Sequence, residues 1–280
     1  SGGDHGEISS LFGEPTASDE DPALDQPEQS ANGSTPVQDS GIPVPDDELR
    51  ERGLSRDDVR FLSRVLDVMN RDDEYTLLKS MRQLRDDYED LHLERLTEQE
   101  LLDEGSAAGR KYYTVLPAGR ELLGRELNAG PGEGDLGEKT PHKVGVRLLE
   151  LWLQQQDDVV RVEPYYEYDD GTVLDVAGFD DEGNLVGAGE AELASNNRHA
   201  PVEDYDKLSA VDGDAVWAFN TRETAIDVLD ALADADRIDE RVSGRSARAF
   251  ATIRDAVDDL DANGLTTVRG FKNLKEELES

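Results

Sequence analysis

The sequence predicts two folded segments of mixed α and β structure behind an acidic, structureless lead. Three observations carry that expectation. Residues 1–47 are rich in Gly, Ser, Pro, Asp, Glu and Gln and nearly free of aromatic side chains. They bury too little apolar surface to offset the entropy of ordering, and read as a disordered acidic linker. Residues 48–127 carry apolar residues at helical spacing and then two β-prone runs around a Gly-containing turn, an α+β pattern. Residues 140–240 read as helix, three strands, helix, strand, helix, an α/β order of α-β-β-β-α-β-α. Between the two lies NAGPGEGDLGEK (128–139), a Gly-rich linker. Residues 241–280 form a helical C-terminal extension.

Composition bounds the setting. The 280 residues hold 65 Asp and Glu against 29 Lys and Arg, a formal net charge of -36 spread along the whole length. Arg far outnumbers Lys, and only 36% of residues are hydrophobic. A carboxylate-covered surface retains water and cations in molar salt, where a Debye length of about 3 Å screens self-repulsion. The composition therefore predicts a halophilic, archaeal protein. With no Cys, disulfides and thiolate metal sites are excluded. There is no run of 18 apolar residues and no signal-peptide pattern, so no membrane segment is expected and a cytoplasmic location is. The chain begins at Ser1 without Met, which leaves open a processed chain or a piece of a longer one. Oligomeric state also stays open.

In the first folded segment Ser55 and Asp58 form a capping box. Val59, Phe61, Leu62, Val65, Leu66 and Met69 follow at helical spacing. A second helix is expected near 74–86, with Leu77, Leu78, Met81 and Leu84 inward. A third is expected near 90–101, with Leu91, Leu93, Leu96 and Leu101. LLDEGSAAGRKYYTVL (101–116) then reads as strand, GSAAG turn, strand, and Pro117 opens a closing helix. The stretch ERLTEQELLDEGSAAGRKYYTVLPAGRELL strongly resembles winged helix-turn-helix proteins of the MarR and PadR type. Tyr113, Val115 and Gly119 stand where that family's motif leads out of the wing. The resemblance implies a recognition helix, a wing and DNA as a partner. Arg82, Arg85, Arg95, Arg110 and Lys111 could form the DNA-binding strip. Glu94, Glu98 and Glu100 in the recognition helix would repel phosphate, so packing against a protein partner is the alternative.

The second segment opens at Thr140, an expected cap, with Pro141 at the first helical position. Val144, Val146, Leu148, Leu149, Leu151 and Trp152 make that helix largely buried. Strands are expected at 159–168, 173–179 and 185–193, a helix near 200–210, a strand at 214–220 and a helix at 221–235. The second strand carries Asp175 and the third Glu190 and Glu192, in stretches otherwise suited to burial. An ionised carboxylate is costly to bury without a partner. The order, with Asp on one strand and Glu on the next, resembles the PD-(D/E)xK, or restriction-endonuclease-like, superfamily. The resemblance implies that Asp175 and Glu190 are catalytic and hold Mg²⁺ (or Mn²⁺), with Glu150 of the first helix as a further candidate. Oxygen ligands suit such a hard cation, which activates water and polarises phosphate. The family's Lys falls at Glu192. Lys207 on the following helix is the candidate replacement, able to stabilise charge in the transition state. If it does not substitute, the segment is a degenerate nuclease fold or an ordinary sheet edge in an acidic protein.

Asn196, Asn197 and Arg198 lie just past these carboxylates, placed for DNA phosphate or base edges, or simply for capping the next helix. The four His residues show no ligand spacing, and GEKTPHK (137–143) lacks the spacing of a phosphate-binding loop. Near the C-terminus, SGRSARAFATIRDAVDDL (243–260) is an amphipathic helix with Arg245, Arg248 and Arg254, and Arg269, Lys272 and Lys275 follow. The chain from 48 to 280 resembles the C-terminal part of large ATPases of haloarchaeal plasmids and conjugative elements, related to HerA- and FtsK-type DNA translocases. It has no Walker motif, so an ATPase motor would be upstream or a separate partner. Two functions are carried forward: a metal-dependent DNA-processing enzyme of a mobile-element or conjugation system, and a non-catalytic DNA- or protein-binding adaptor.

Overall fold

A computed structural model describes residues 44–70, 81–125, 137–168, 171–194, 199–239 and 250–280. Most of the expected acidic lead and Gly-rich linker lies outside the described residues, as do Arg245 and Arg248. Residues 40–280 form one compact unit. The fold is mixed α and β.

The first helices are α1 (Asp46–Arg52), α2 (Arg56–Met69), α3 (Met81–Asp86) and α4 (Leu93–Glu98). Helix α1 was not expected; its Asp46 and Asp47 fall inside the stretch read as linker, and acidic residues suit a helix's first turn. The Ser55–Asp58 capping box is present. Asp58 is fully buried because it does more than cap: its second oxygen accepts the His92 backbone N–H at 2.6 Å, tying α2 to α4. Phe61 on α2 meets Tyr88 and Tyr113 edge-to-face, with ring centroids 5.8 and 5.5 Å apart.

The hairpin strands β1 (Leu102–Ala107) and β2 (Arg110–Val115) are antiparallel, and α5 (Pro117–Leu122) closes the segment. The turn is tighter than GSAAG suggests. Only Ala108 and Gly109 turn, with φ of 49° and 74°, as a two-residue type I′ turn demands. Gly105 instead lies within β1, where a Cβ would come within 2.6–2.8 Å of Pro141 and Thr140. The hairpin thus lies directly on helix α6 (Thr140–Leu153). Asp103 Oδ2 accepts both the Thr140 backbone N–H at 3.0 Å and its hydroxyl at 2.7 Å, capping α6 from another element. Thr140 is therefore capped rather than capping; Lys139 holds the N-cap position.

After α6 come β3 (Arg161–Tyr168), β4 (Thr172–Phe179), β5 (Leu185–Glu192), α7 (Ala200–Ser209), β6 (Asp214–Phe219) and α8 (Arg222–Asp234). This is the expected order. Then follow α9 (Phe250–Asp258), β7 (Thr267–Gly270) and α10 (Phe271–Leu278). The five-stranded sheet runs β3-β4-β5-β6-β7, antiparallel through β5 and parallel from β5 to β7. Alternation along β6 divides the core. Val216 and Ala218 face α6 and α10, whereas Trp217 and Phe219 face α7, α8 and α9.

Two boundaries read from the sequence need correction. Within the C-terminal extension, the described residues 250–280 are not an appendage: Val268, Phe271 and Leu274 are fully buried, and β7 completes the sheet. Nor do the halves keep separate cores, because one apolar cluster runs from Phe61 and Tyr112 through Leu148 and Leu149 to Val176 and Phe271. No described helix is long and apolar enough to cross a membrane.

Candidate functional site

The site lies where two strands part. The β4–β5 ladder extends from Phe179 paired with Leu185 to Val176 paired with Gly189. Asp175 and Glu190 are the next residue on each strand. Each carboxylate turns back to the other strand's backbone: Asp175 Oδ2 accepts Ala191 N–H at 2.8 Å, and Glu190 Oε1 faces Asp175 N–H at 3.4 Å. Buried backbone donors need partners, and here the two carboxylates provide them. That is the local reason for acidic residues in an otherwise apolar hairpin.

Two side-chain cations balance the charge. Lys207 Nζ of α7 lies 2.6 Å from Glu190 Oε1, 3.0 Å from Asp204 Oδ1 and 3.0 Å from the Val173 carbonyl. From the opposite side of the sheet, His142 Nε2 of α6 lies 3.2 Å from Asp175 Oδ2. Its Nδ1 is 3.3 Å from Glu138 Oε2, but out of line for a hydrogen bond. Tyr165 of β3 donates its hydroxyl to that same Glu138 oxygen at 2.8 Å.

Burial and charge set the protonation states. Burial alone would lower the His142 pKa, but the carboxylates of Asp175 and Glu138 reverse this and hold it at about 10. Burial would raise Asp175; the His142 hydrogen bond and charge, with Ala191 N–H and Lys207, keep it below its ordinary value. Glu190 is raised well above the usual carboxyl range, by burial first and Asp175 second, against the pull of Lys207. Glu192 is pushed up to about 8 by burial and by Asp204, to which it is hydrogen-bonded. Lys207 stays raised despite burial, held by Glu190 and Asp204.

The structure brings Asp175, Glu190 and Lys207 together. Glu150 is buried on α6 and takes the Arg147 guanidinium at 2.5 Å, with its charge felt at the Tyr165 hydroxyl. Asn196, Asn197 and Arg198 lie outside the described residues, as does the side chain of Arg82. The other basic candidates are met by acceptors of the chain itself. Arg85 pairs with Asp86 at 3.3 Å, Arg95 binds the Gly53 carbonyl at the end of α1, and Lys111 pairs with Glu104. Arg110 lies 4.0 Å from Glu279. Further along, Arg269 sits over the Trp152 ring, and Lys275 is buried against Glu279.

Sequence reading passed over Glu138, His142, Tyr165 and Asp204. Glu138 and His142 do sit four residues apart, and Asp204 lies three before Lys207, each one turn away. That spacing was a signal, but only the fold shows what faces them. Among the described residues, no group of three or more His, Asp or Glu is gathered as a ready metal cage. Asp175 and Glu190 nonetheless offer oxygen donors from neighbouring strands, the ligand type Mg²⁺ and Mn²⁺ prefer. Comparisons with protein-family models, curated proteins and solved structures match nothing.

Proposed function

We propose that this chain is a DNA-processing module: a winged helix joined to a restriction-endonuclease-like domain acting as a Mg²⁺- or Mn²⁺-dependent deoxyribonuclease. The observation that carries the reading is Lys207 Nζ, 2.6 Å from Glu190. It brings from α7 a cation to the place where Glu192 leaves none. In this reading Asp175 and Glu190 hold the divalent ion, which when bound supplies an activated water and a polarised phosphate. Lys207 stabilises negative charge as it develops on the phosphate, and Asp204 orients the ammonium. His142 holds Asp175. The acidic composition and the likeness to mobile-element ATPases favour a haloarchaeal conjugation or plasmid system, with a translocase as a partner.

A second reading has its own support. The two carboxylates already serve backbone N–H groups, and the hairpin cations already face carboxylates. A non-catalytic adaptor would need no more than that. Duplex, branched and single-stranded DNA in molar KCl with Mg²⁺ or Mn²⁺ separates the two. The enzyme reading expects cleavage, abolished in Asp175→Ala. It also expects Lys207→Ala to raise the barrier by ~2.7–4 kcal/mol, the range for one lost transition-state donor. No cleavage, with no metal uptake by calorimetry, leaves the adaptor.

A further inference from the structure

We propose that Tyr165, Glu138 and His142 form a positioning arm that fixes the carboxylate of Asp175. The inference rests on the reading of Asp175 as a site carboxylate held by His142, and it adds Glu138 and Tyr165 as the residues that hold His142. The arm runs through one hydrogen bond and two ion-pair contacts. Tyr165 donates its hydroxyl to Glu138 Oε2 at 2.8 Å; the same oxygen is 3.3 Å from His142 Nδ1; and His142 Nε2 is 3.2 Å from Asp175 Oδ2. It ties strand β3 to the start of α6 and, through His142, to Asp175 of β4.

The backbone of Tyr165 points to the same role. Its φ is 52°, in the left-handed region that bulky residues avoid. It lies between the pairs Pro164 with Val176 and Tyr166 with Leu174, directly across from Asp175. Val162 and Tyr165, three residues apart, both pack on the α6 side of the core, whereas Tyr166 and Tyr168 pack on the other, so the left-handed step falls where the alternation running from Val162 breaks. Strained backbone concentrates where a side chain must be aimed, and here the aim is at Glu138.

The anchoring of α6 completes the arm. Thr140, two residues before His142, is fixed by Asp103 and Thr114. The imidazole therefore projects from a helix end that the hairpin holds still. Asp175 has one oxygen fixed by two donors, His142 and Ala191 N–H. Loss of either outer member, Glu138 or Tyr165, should free the ring to rotate without removing Asp175 itself.

The test uses the full chain, ¹⁵N-labelled at His, in molar KCl without divalent metal. His142 ring N–H signals, assigned by their loss in His142→Asn, should be protected from exchange in the wild type. Glu138→Gln should shift or broaden them, and Tyr165→Phe, which keeps the ring and the packing, should do so to a lesser extent. In the cleavage assay both variants should lower kcat by about 10- to 100-fold with KM unchanged, as for partners that orient a ligand. The double variant should lose no more than Glu138→Gln alone. Ring signals unchanged in both variants, with amide spectra showing the fold intact, would overturn the arm. Responsive ring signals in a protein that neither cleaves DNA nor takes up Mn²⁺ would uphold the arm and remove the nuclease reading.

Discussion

Glu192 behaves as an acid more than as an anion. Burial and Asp204 raise its pKa to about 8. Between the ordinary carboxyl range near 4.3 and that value, the unfolded chain releases a proton that the folded chain keeps. Stability tied to this group is therefore present at low pH and lost as pH rises toward 8. Glu192→Gln removes that loss. Denaturant midpoints should match the wild type near pH 4 and exceed it at pH 8.5; equal midpoints at both would show that Glu192 ionises freely. Lys207 presents the converse case. Orphaning a buried charge costs about 3–5 kcal/mol, but Glu190, raised well above the carboxyl range, can take up a proton when the ammonium goes. Lys207→Met should accordingly cost about 1–3 kcal/mol, the figure for one unsatisfied buried group. A larger loss in urea titration would mean that Glu190 stays ionised.

Helix α6 takes its N-terminal cap from another element. Its first turn holds no acidic residue, and Lys139 provides no capping side chain. Asp103 of β1 fills that role across the hairpin. Asp103→Ala should cost about 0.5–2 kcal/mol, as for loss of an ordinary N-cap, and should loosen the hairpin and α6 together in hydrogen exchange. Protection lost in the hairpin alone would argue against the cap. The contrast shows what the sequence made legible. The Ser55–Asp58 box, the α-β-β-β-α-β-α order and the convergence of Asp175, Glu190 and Lys207 rest on local spacing or on one helix crossing one hairpin. Asp103 with Thr140, and His142 with Asp175, join residues more than 30 positions apart, so no local pattern marks them. Strand β7 escaped notice because four residues, TVRG, are too few for a period. The turn was misplaced because GSAAG offers two glycines, and only the approach of Pro141 decides that Gly105 belongs to the strand.

Across the whole molecule, a net charge of -36 sets up two kinds of electrostatics that salt separates. Surface carboxylates repel over a Debye length of about 10 Å at 0.1 M and about 3 Å at 1 M. Lowering KCl from molar to 0.1 M should therefore lower the melting temperature. The pair of His142 with Asp175 is shielded from this because both are largely buried. It has its own pH limits. Asp175 lies below its ordinary value, so its share of stability is lost as pH falls into that acid range. His142 is held at about 10 against an ordinary value near 6.5. The folded chain keeps a proton there that the unfolded chain has lost, so the stabilisation is full below 6.5 and gone once pH passes 10. His142→Gln should thus be clearly less stable than the wild type at pH 6, with the gap narrowing steadily to pH 10. Because the pair is buried, that narrowing should have nearly the same slope in 0.5 M and 3 M KCl, while both proteins gain stability with salt. A slope that collapses in 3 M KCl would place His142 among the screened surface charges and break its link to Asp175.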